Sequence, residues 1–194
     1  MIEIPEQMRH LKVFRGMAVP WGVLIDSDGT PQFAINVEDA RRLMIRDDLC
    51  NVCGKRLLRG RWFVGGPGSA LHPNGCYIDM PLHTECKTYS LTVCPYLAAP
   101  RYAREVGITK AHQMKRPPIL LVDATIVPDR PPLFVAVFAT GQRMVDGSDF
   151  QQYVRPKRPY LKIEYWRRGT LLDPAVAAPE AQAHADQFEL EVSQ

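Results

Sequence analysis

Leu49-Cys50-Asn51-Val52-Cys53-Gly54-Lys55 and, after residues 56–79, Met80-Pro81-Leu82-His83-Thr84-Glu85-Cys86 carry the decisive spacing. Each stretch holds two metal-ligand side chains separated by two residues. A Cys-x-x-Cys pair can reach one ion from a tight turn, and Gly54 relieves the backbone directly after Cys53. The second pair is spaced i and i+3, which puts both side chains on one face at the start of a helix. Three thiolates and one imidazole are an ordinary tetrahedral zinc set. The reading is a structural Zn2+ held by Cys50, Cys53, His83 and Cys86. Four such ligands leave no open coordination position, so the site would hold structure and not activate water.

The segments between the pairs extend this reading. Arg61–Val64 reads as a strand, Gly65–Gly68 as a turn and Cys76–Asp79 as a returning strand. From Pro81 the pattern turns helical, and Cys94-Pro95 ends or kinks that helix. A knuckle, a hairpin and the first turn of a helix is the layout of a treble-clef zinc finger. The five cysteines are an odd number. In a chain read as cytosolic they suggest metal ligands or reduced thiols, not a disulfide framework. Cys94 lies ~12 Å along the helix from Cys86, so it reads as a buried apolar thiol. Cys76 is an alternative to His83 as fourth ligand. His72 is a weaker competitor, because His-Pro-Asn-Gly reads first as a turn.

Outward from this core the chain divides into three. Residues 1–48 read as an irregular arm, a hairpin around Asp28-Gly29 and a helix capped by Asn36. Residues 49–100 form the treble-clef-like zinc module. Residues 101–194 contain a short helix at Arg101–Gln113, strands at Ile119–Val127, Leu133–Ala139 and Leu161–Trp166, a turn at Pro128–Pro132, a basic segment and an acidic helical tail. Asp173-Pro174 opens the last helix, and Pro179 interrupts it. The class is α+β.

A chain of 194 residues, 46% hydrophobic and 23% charged, has a soluble globular composition. No run approaches the ~18 apolar residues of a membrane span. The first residues lack the basic start and apolar run of a signal peptide, which points to the cytoplasm. The net charge of +3 is small, but it is distributed in blocks. Arg41–Arg61 and Arg155–Arg168 are basic, and the segment from Asp173 onward is acidic. They read as solvated faces or as anion-facing patches, with an acidic tail able to fold back over one of them.

At Ile4-Pro5, Pro20-Trp21, Leu49–Leu57, Phe63–Pro67, Met80–Cys86 and Cys94–Leu97 the sequence resembles an uncharacterised family of bacterial and phage proteins. A looser similarity returns at Glu164–Gly169. The resemblance implies a phage or prophage origin and a bacterial host cell, and it supports the four ligands. It implies no activity.

Two functions compete. One is a non-enzymatic binding module whose partner is a host protein or a nucleic acid. For nucleic acid, Lys55, Arg56, Arg59 and Arg61 would neutralise phosphates, and Trp62 would stack on bases if it faces outward. The other is a nuclease of the His-Asn-His type, with His72 as base. It lacks the carboxylates that would help hold a catalytic ion. Gly65–Gly68 is not a P-loop, because no Gly-Lys-Ser/Thr ending follows.

Overall fold

Trp62 and Phe63 are adjacent, apolar and both buried. Successive strand side chains point to opposite faces, so the strand that carries them needs cover on both sides. The computed structural model describes residues 2–98, 131–146 and 152–192, and it provides that cover. β5 (Arg61–Gly65) pairs antiparallel with β6 (Phe134–Ala139), from Arg61↔Ala139 to Gly65↔Val135. β6 pairs antiparallel with β9 (Lys162–Arg167), and β9 with the short β10 (Thr170–Leu171). The order of this four-stranded sheet is β10-β9-β6-β5. One face presents Trp62, Phe134, Ala136 and Trp166 to a core shared with Cys50, Cys53 and Cys86. The other presents Phe63, Val135, Val137 and Tyr165 to Met44, Ala70, Ala177 and Ala181. The cysteine segments and α3 (Thr84–Val93) thus pack on one face. α1 (Glu38–Asp47), α2 (Pro67–Leu71) and α5 (Pro174–Val192) pack on the other. With α4 (Pro95–Ala98) there are five α-helices among the described residues, and the mixed α+β class holds.

The hairpin expected inside the middle segment does not form. Cys76–Asp79 is no strand and contributes only an isolated bridge, Tyr77↔Val154. The uniformly apolar run Phe134–Ala139 takes the place of the returning strand, because it buries both of its faces as β5 requires. At the other edge of β5 a single antiparallel bridge joins Trp62 to Leu82, with backbone bonds of 2.9 and 2.8 Å. The expected turn at Gly65–Gly68 is instead the entry to α2, with Pro67 in the first turn, where its missing N–H costs nothing.

Other expectations are met. β3 (Val23–Ile25) and β4 (Pro31–Asn36) form the hairpin around Asp28-Gly29. α3 ends at Cys94, and α4 starts at Pro95. Asp173 opens α5 through its Oδ1, which accepts from Ala175 N–H at 2.9 Å. Two details differ. Asn36 does not cap α1: Val37 holds that position, and Asn36 Nδ2 donates to Asp79 Oδ1 at 2.8 Å. Pro179 lies inside α5 without ending it. Ala175 and Pro179 are both exposed, so the carbonyl freed by the proline can bond water. The arm is less irregular than expected, with a 3₁₀ turn at Glu6–Met8 and a hairpin of β1 (Val13–Phe14) and β2 (Met17–Ala18). A third two-stranded pair, β7 (Gln142–Asp146) with β8 (Gln152–Pro156), completes the strands among the described residues. The expected helix at 101–113, the strand at 119–127 and most of the turn at 128–132 lie outside the described residues.

A buried ion pair fastens α3 to the sheet. Lys87 Nζ bonds Glu164 Oε2 at 2.6 Å, and the two residues are only 2% and 7% exposed. The ammonium lies 4.3 Å from the Trp62 ring centre and 5.2 Å from that of Trp166, within cation–π range. Trp166 Nε1 and Lys162 Nζ also bond the carboxylate, at 3.1 and 2.7 Å. Burial raises the Glu164 pKa, but the bonds from Lys162 and Lys87 outweigh it and hold the carboxyl below its ordinary value. The contribution to stability is therefore present above the ordinary carboxylate pKa and fades as acid titrates Glu164. On the acidic tail, Glu180 Oε1 meets Arg167 Nη2 at 2.5 Å, so the last helix does lay a carboxylate on the basic segment. No helix among the described residues is long and apolar enough to cross a membrane.

Candidate metal centre

The turn after Leu49 is built by the backbone. Gly54 N–H donates to Cys50 O at 2.9 Å, Cys50 N–H to Lys55 O at 2.8 Å, and Leu57 N–H to Asp48 O at 2.8 Å. Gly54 closes this turn at φ +67, in the left-handed region that side chains resist. A Cβ there would lie 2.8 Å from the Trp21 ring, so both the conformation and the close approach require glycine. Gly54→Ala should lower stability by about 1–3 kcal/mol. Thermal melting of the metal-loaded protein measures that loss.

The second pair arrives from the other side. The Trp62↔Leu82 bridge fixes the chain just before His83, which is the N-cap residue of α3, and Cys86 follows in the first helical turn. The ligand atoms of Cys50, Cys53, His83 and Cys86 all lie within 4.8 Å of one another. A tetrahedral site with Zn–S bonds of about 2.3 Å has S–S edges of ~3.8 Å, so the cluster is close to the size that an ion needs. His83 is already aimed. Its Nδ1 lies 3.3 Å from Cys53 Sγ, while Nε2 donates to Arg56 O at 3.0 Å. A second-shell carbonyl on the far nitrogen is the usual way to fix a ligating imidazole. The predicted residues are thus brought together as one candidate metal centre.

The four donors of the cluster shift one another's protonation. Burial pushes the Cys50 thiol up, but bonds from Cys53, Cys86 and His83 outweigh it and bring the group well below its ordinary value. The bond to Cys50 pushes Cys53 up to about 11 and Cys86 higher still, and donation to Cys50 also raises His83. Among protein groups alone, the first thiolate opposes a second and a third. A divalent ion bound there would remove that opposition and favour three thiolates.

Cys76 and Cys94 are not in the cluster, and none of the five cysteines is in a disulfide. Cys76 is buried beside Tyr77 and outside the cluster, where His83 stands as the fourth donor. Cys94 is only half-buried at the end of α3, where a buried apolar thiol was expected. Two residues of the expected nucleic-acid surface turn inward. Trp62 is 4% exposed, with its indole N–H bonded to Thr84 Oγ1 at 3.0 Å and its ring 5.0 Å from that of Phe138. Arg61 is 8% exposed and bonds Asp48 Oδ1 at 2.5 Å and Leu58 O at 2.9 Å. Strand alternation explains this poorly, since both faces of β5 are covered. Lys55, Arg56 and Arg59 remain exposed. The second basic block is largely engaged within the fold. Arg155 bonds Asn74 O, Arg158 bonds the carbonyls that end α2, and Lys162 and Arg167 meet Glu164 and Glu180.

Sequence reasoning missed two neighbours of the centre, Gln7 and His10. Gln7 Nε2 donates to Cys86 Sγ at 3.3 Å, and His10 Nε2 donates to Cys53 O at 2.9 Å. Polar residues in an arm with no periodicity carry no signal of such contacts. Compared with protein-family models, curated proteins and solved structures, the chain matches none. The resemblance to bacterial and phage proteins rests on the quoted motifs alone.

Proposed function

We propose that Cys50, Cys53, His83 and Cys86 hold one structural zinc ion, and that the chain is a zinc-stabilised, non-enzymatic binding module. The observation that carries this is a closed four-donor set, buried at its three sulfurs, whose imidazole is already oriented. Soft thiolates with one imidazole suit zinc over magnesium or calcium, which prefer oxygen. The knuckle, the Trp62↔Leu82 bridge and the helix opened by His83 support a treble-clef-like arrangement, with the bridge standing where a hairpin would be.

A protein partner is favoured over nucleic acid. With Arg61 and Trp62 inside, the cationic surface shrinks to Lys55, Arg56 and Arg59. Lys55 and Arg9 also share an open cleft of about 620 Å3 with Glu3, Glu6 and Glu85, so the surface beside the knuckle has mixed charge. Electrostatic recognition of a phosphate backbone gains from clustered positive charge, whereas mixed charge suits a protein. The test compares binding of nucleic acid by wild type and by the Lys55→Ala, Arg56→Ala, Arg59→Ala triple variant across salt concentrations. The expected result is weak binding by both. Tight wild-type binding, with the slope of log affinity against log salt reduced by up to ~3 in the variant, would establish nucleic acid instead.

The nuclease alternative has two observations against it. His83 is turned into the cysteine cluster, and His72 Nδ1 accepts from Asn74 N–H at 3.1 Å within its own loop. Metal-dependent cleavage abolished by His72→Ala with zinc retained would establish it.

A further inference from the structure

The N-terminal arm is docked on the metal centre at two points. Gln7 reaches the Cys86 sulfur, and His10 reaches the carbonyl of Cys53. Between them Met8 is fully buried in the same core cluster as Cys50, Cys53 and Cys86, with Leu11 beside it and Ile4 packed against that cluster. The 3₁₀ turn that presents Gln7 and Met8 is held by Met8 N–H on Pro5 O at 2.8 Å and Arg9 N–H on Glu6 O at 3.2 Å. These residues form a strap, and its one side-chain donor to a sulfur is Gln7.

Resting on the metal reading above, the geometry points to Gln7 as a positioning residue of the metal centre, through which the strap of residues 4–11 slows release of the ion. An amide N–H bonds a metal-bound thiolate more strongly than a neutral thiol, because the acceptor carries charge. The bond draws electron density from Cys86, fixes its rotamer and must break before that sulfur can leave the ion. Coupling of this kind is mutual, so the bound ion also holds the strap down. Gln7 is only half-buried, so its replacement leaves the core in place.

The experiment uses the full chain loaded with zinc, and separately with cobalt(II), as wild type, Gln7→Ala and Gln7→Met. The Met variant keeps length and packing but has no donor. Both variants should retain the wild-type metal stoichiometry and release zinc to a chromogenic chelator ~10-fold faster, at the lower end of second-shell effects. The thiolate-to-cobalt charge-transfer band should move to lower energy in both, because an unbonded thiolate is the better electron donor. A purely structural role for Gln7 would change melting temperature without moving that band. Metal-loaded variants with wild-type release rates and an unmoved band would overturn the strap and leave the metal centre standing. Wild-type protein that takes up neither zinc nor cobalt would overturn the metal reading itself, and the strap with it.

Discussion

Protein purified without chelator should contain about one zinc per chain, and removing that zinc should dismantle the layer of the molecule built on Cys50, Cys53 and Cys86. Structural zinc in small modules binds with an apparent ~10–16 kcal/mol at neutral pH. Whole domains are stable by only ~5–15 kcal/mol. The cysteine layer has little to replace the ion. Its three sulfurs are buried in one cluster with Trp62, Leu82, Tyr89 and Phe134. Without a cation, thiolates crowded there oppose one another's ionisation. Elemental analysis measures the stoichiometry. Near-ultraviolet circular dichroism follows the loss of fixed packing around Trp62 and Trp166 on chelation. Cys86→Ser should lose both zinc and that signal. Cys94→Ala should keep both and lose at most ~1–2 kcal/mol, since Cys94 stands outside the cluster. Metal-free protein with an unchanged spectrum would sink the structural role. Zinc retained by Cys86→Ser would sink the ligand assignment.

The candidate site was legible in the sequence because its ligands come in two local pairs. Cys50 and Cys53 are set by one tight turn with a glycine, and His83 and Cys86 by the first turn of a helix. Both are short-range geometries that spacing reports directly. The fold around them was less legible wherever pairing is long-range. Nothing local says that β5 prefers Phe134–Ala139 to the nearer Cys76–Asp79. That choice follows from burying both Trp62 and Phe63, which only a run apolar on both faces can satisfy. Inward-turned charge was equally hidden. Arg61 in a basic block reads as surface until Asp48 and the Leu58 carbonyl are placed beside its guanidinium. Lys87 carries no sequence signal of burial, and only the packing of α3 against the sheet places it against Glu164. Gln7 and His10 are the extreme case, because their partners lie far away in sequence and their own segment has no pattern.

Breaking the Lys87–Glu164 pair from either side should destabilise the protein by about 3–5 kcal/mol, whereas replacing both partners by apolar residues should cost much less. Lys87→Met leaves the Glu164 carboxylate with Lys162 and Trp166 but without its buried cation. Glu164→Leu leaves the Lys87 ammonium between two indole rings with no counter-charge. Glu164→Leu strands a buried charge outright, and Lys87→Met takes the buried cation from a carboxylate left to Lys162 and Trp166; the lost pairing is the source of the loss. In a protein of this size the single variants should melt ~6–20 °C lower, at roughly 2–4 °C per kcal/mol. The double variant removes both charges and keeps the methylene volume between Trp62, Trp166 and Ala136. Its melting temperature should recover most of the difference, and the interaction energy from the double-mutant cycle should be large. Lys87 directly follows Cys86 but contributes no ligand atom, so zinc content should stay at the wild-type value in all three variants. That separates fastening from metal binding: a bound ion would hold the cysteine segments to one another, and the ion pair holds their helix to the sheet. Additive single losses in the double variant would show that Lys87 and Glu164 act through other neighbours, Lys162 foremost, and that α3 is fastened to β9 by apolar packing alone.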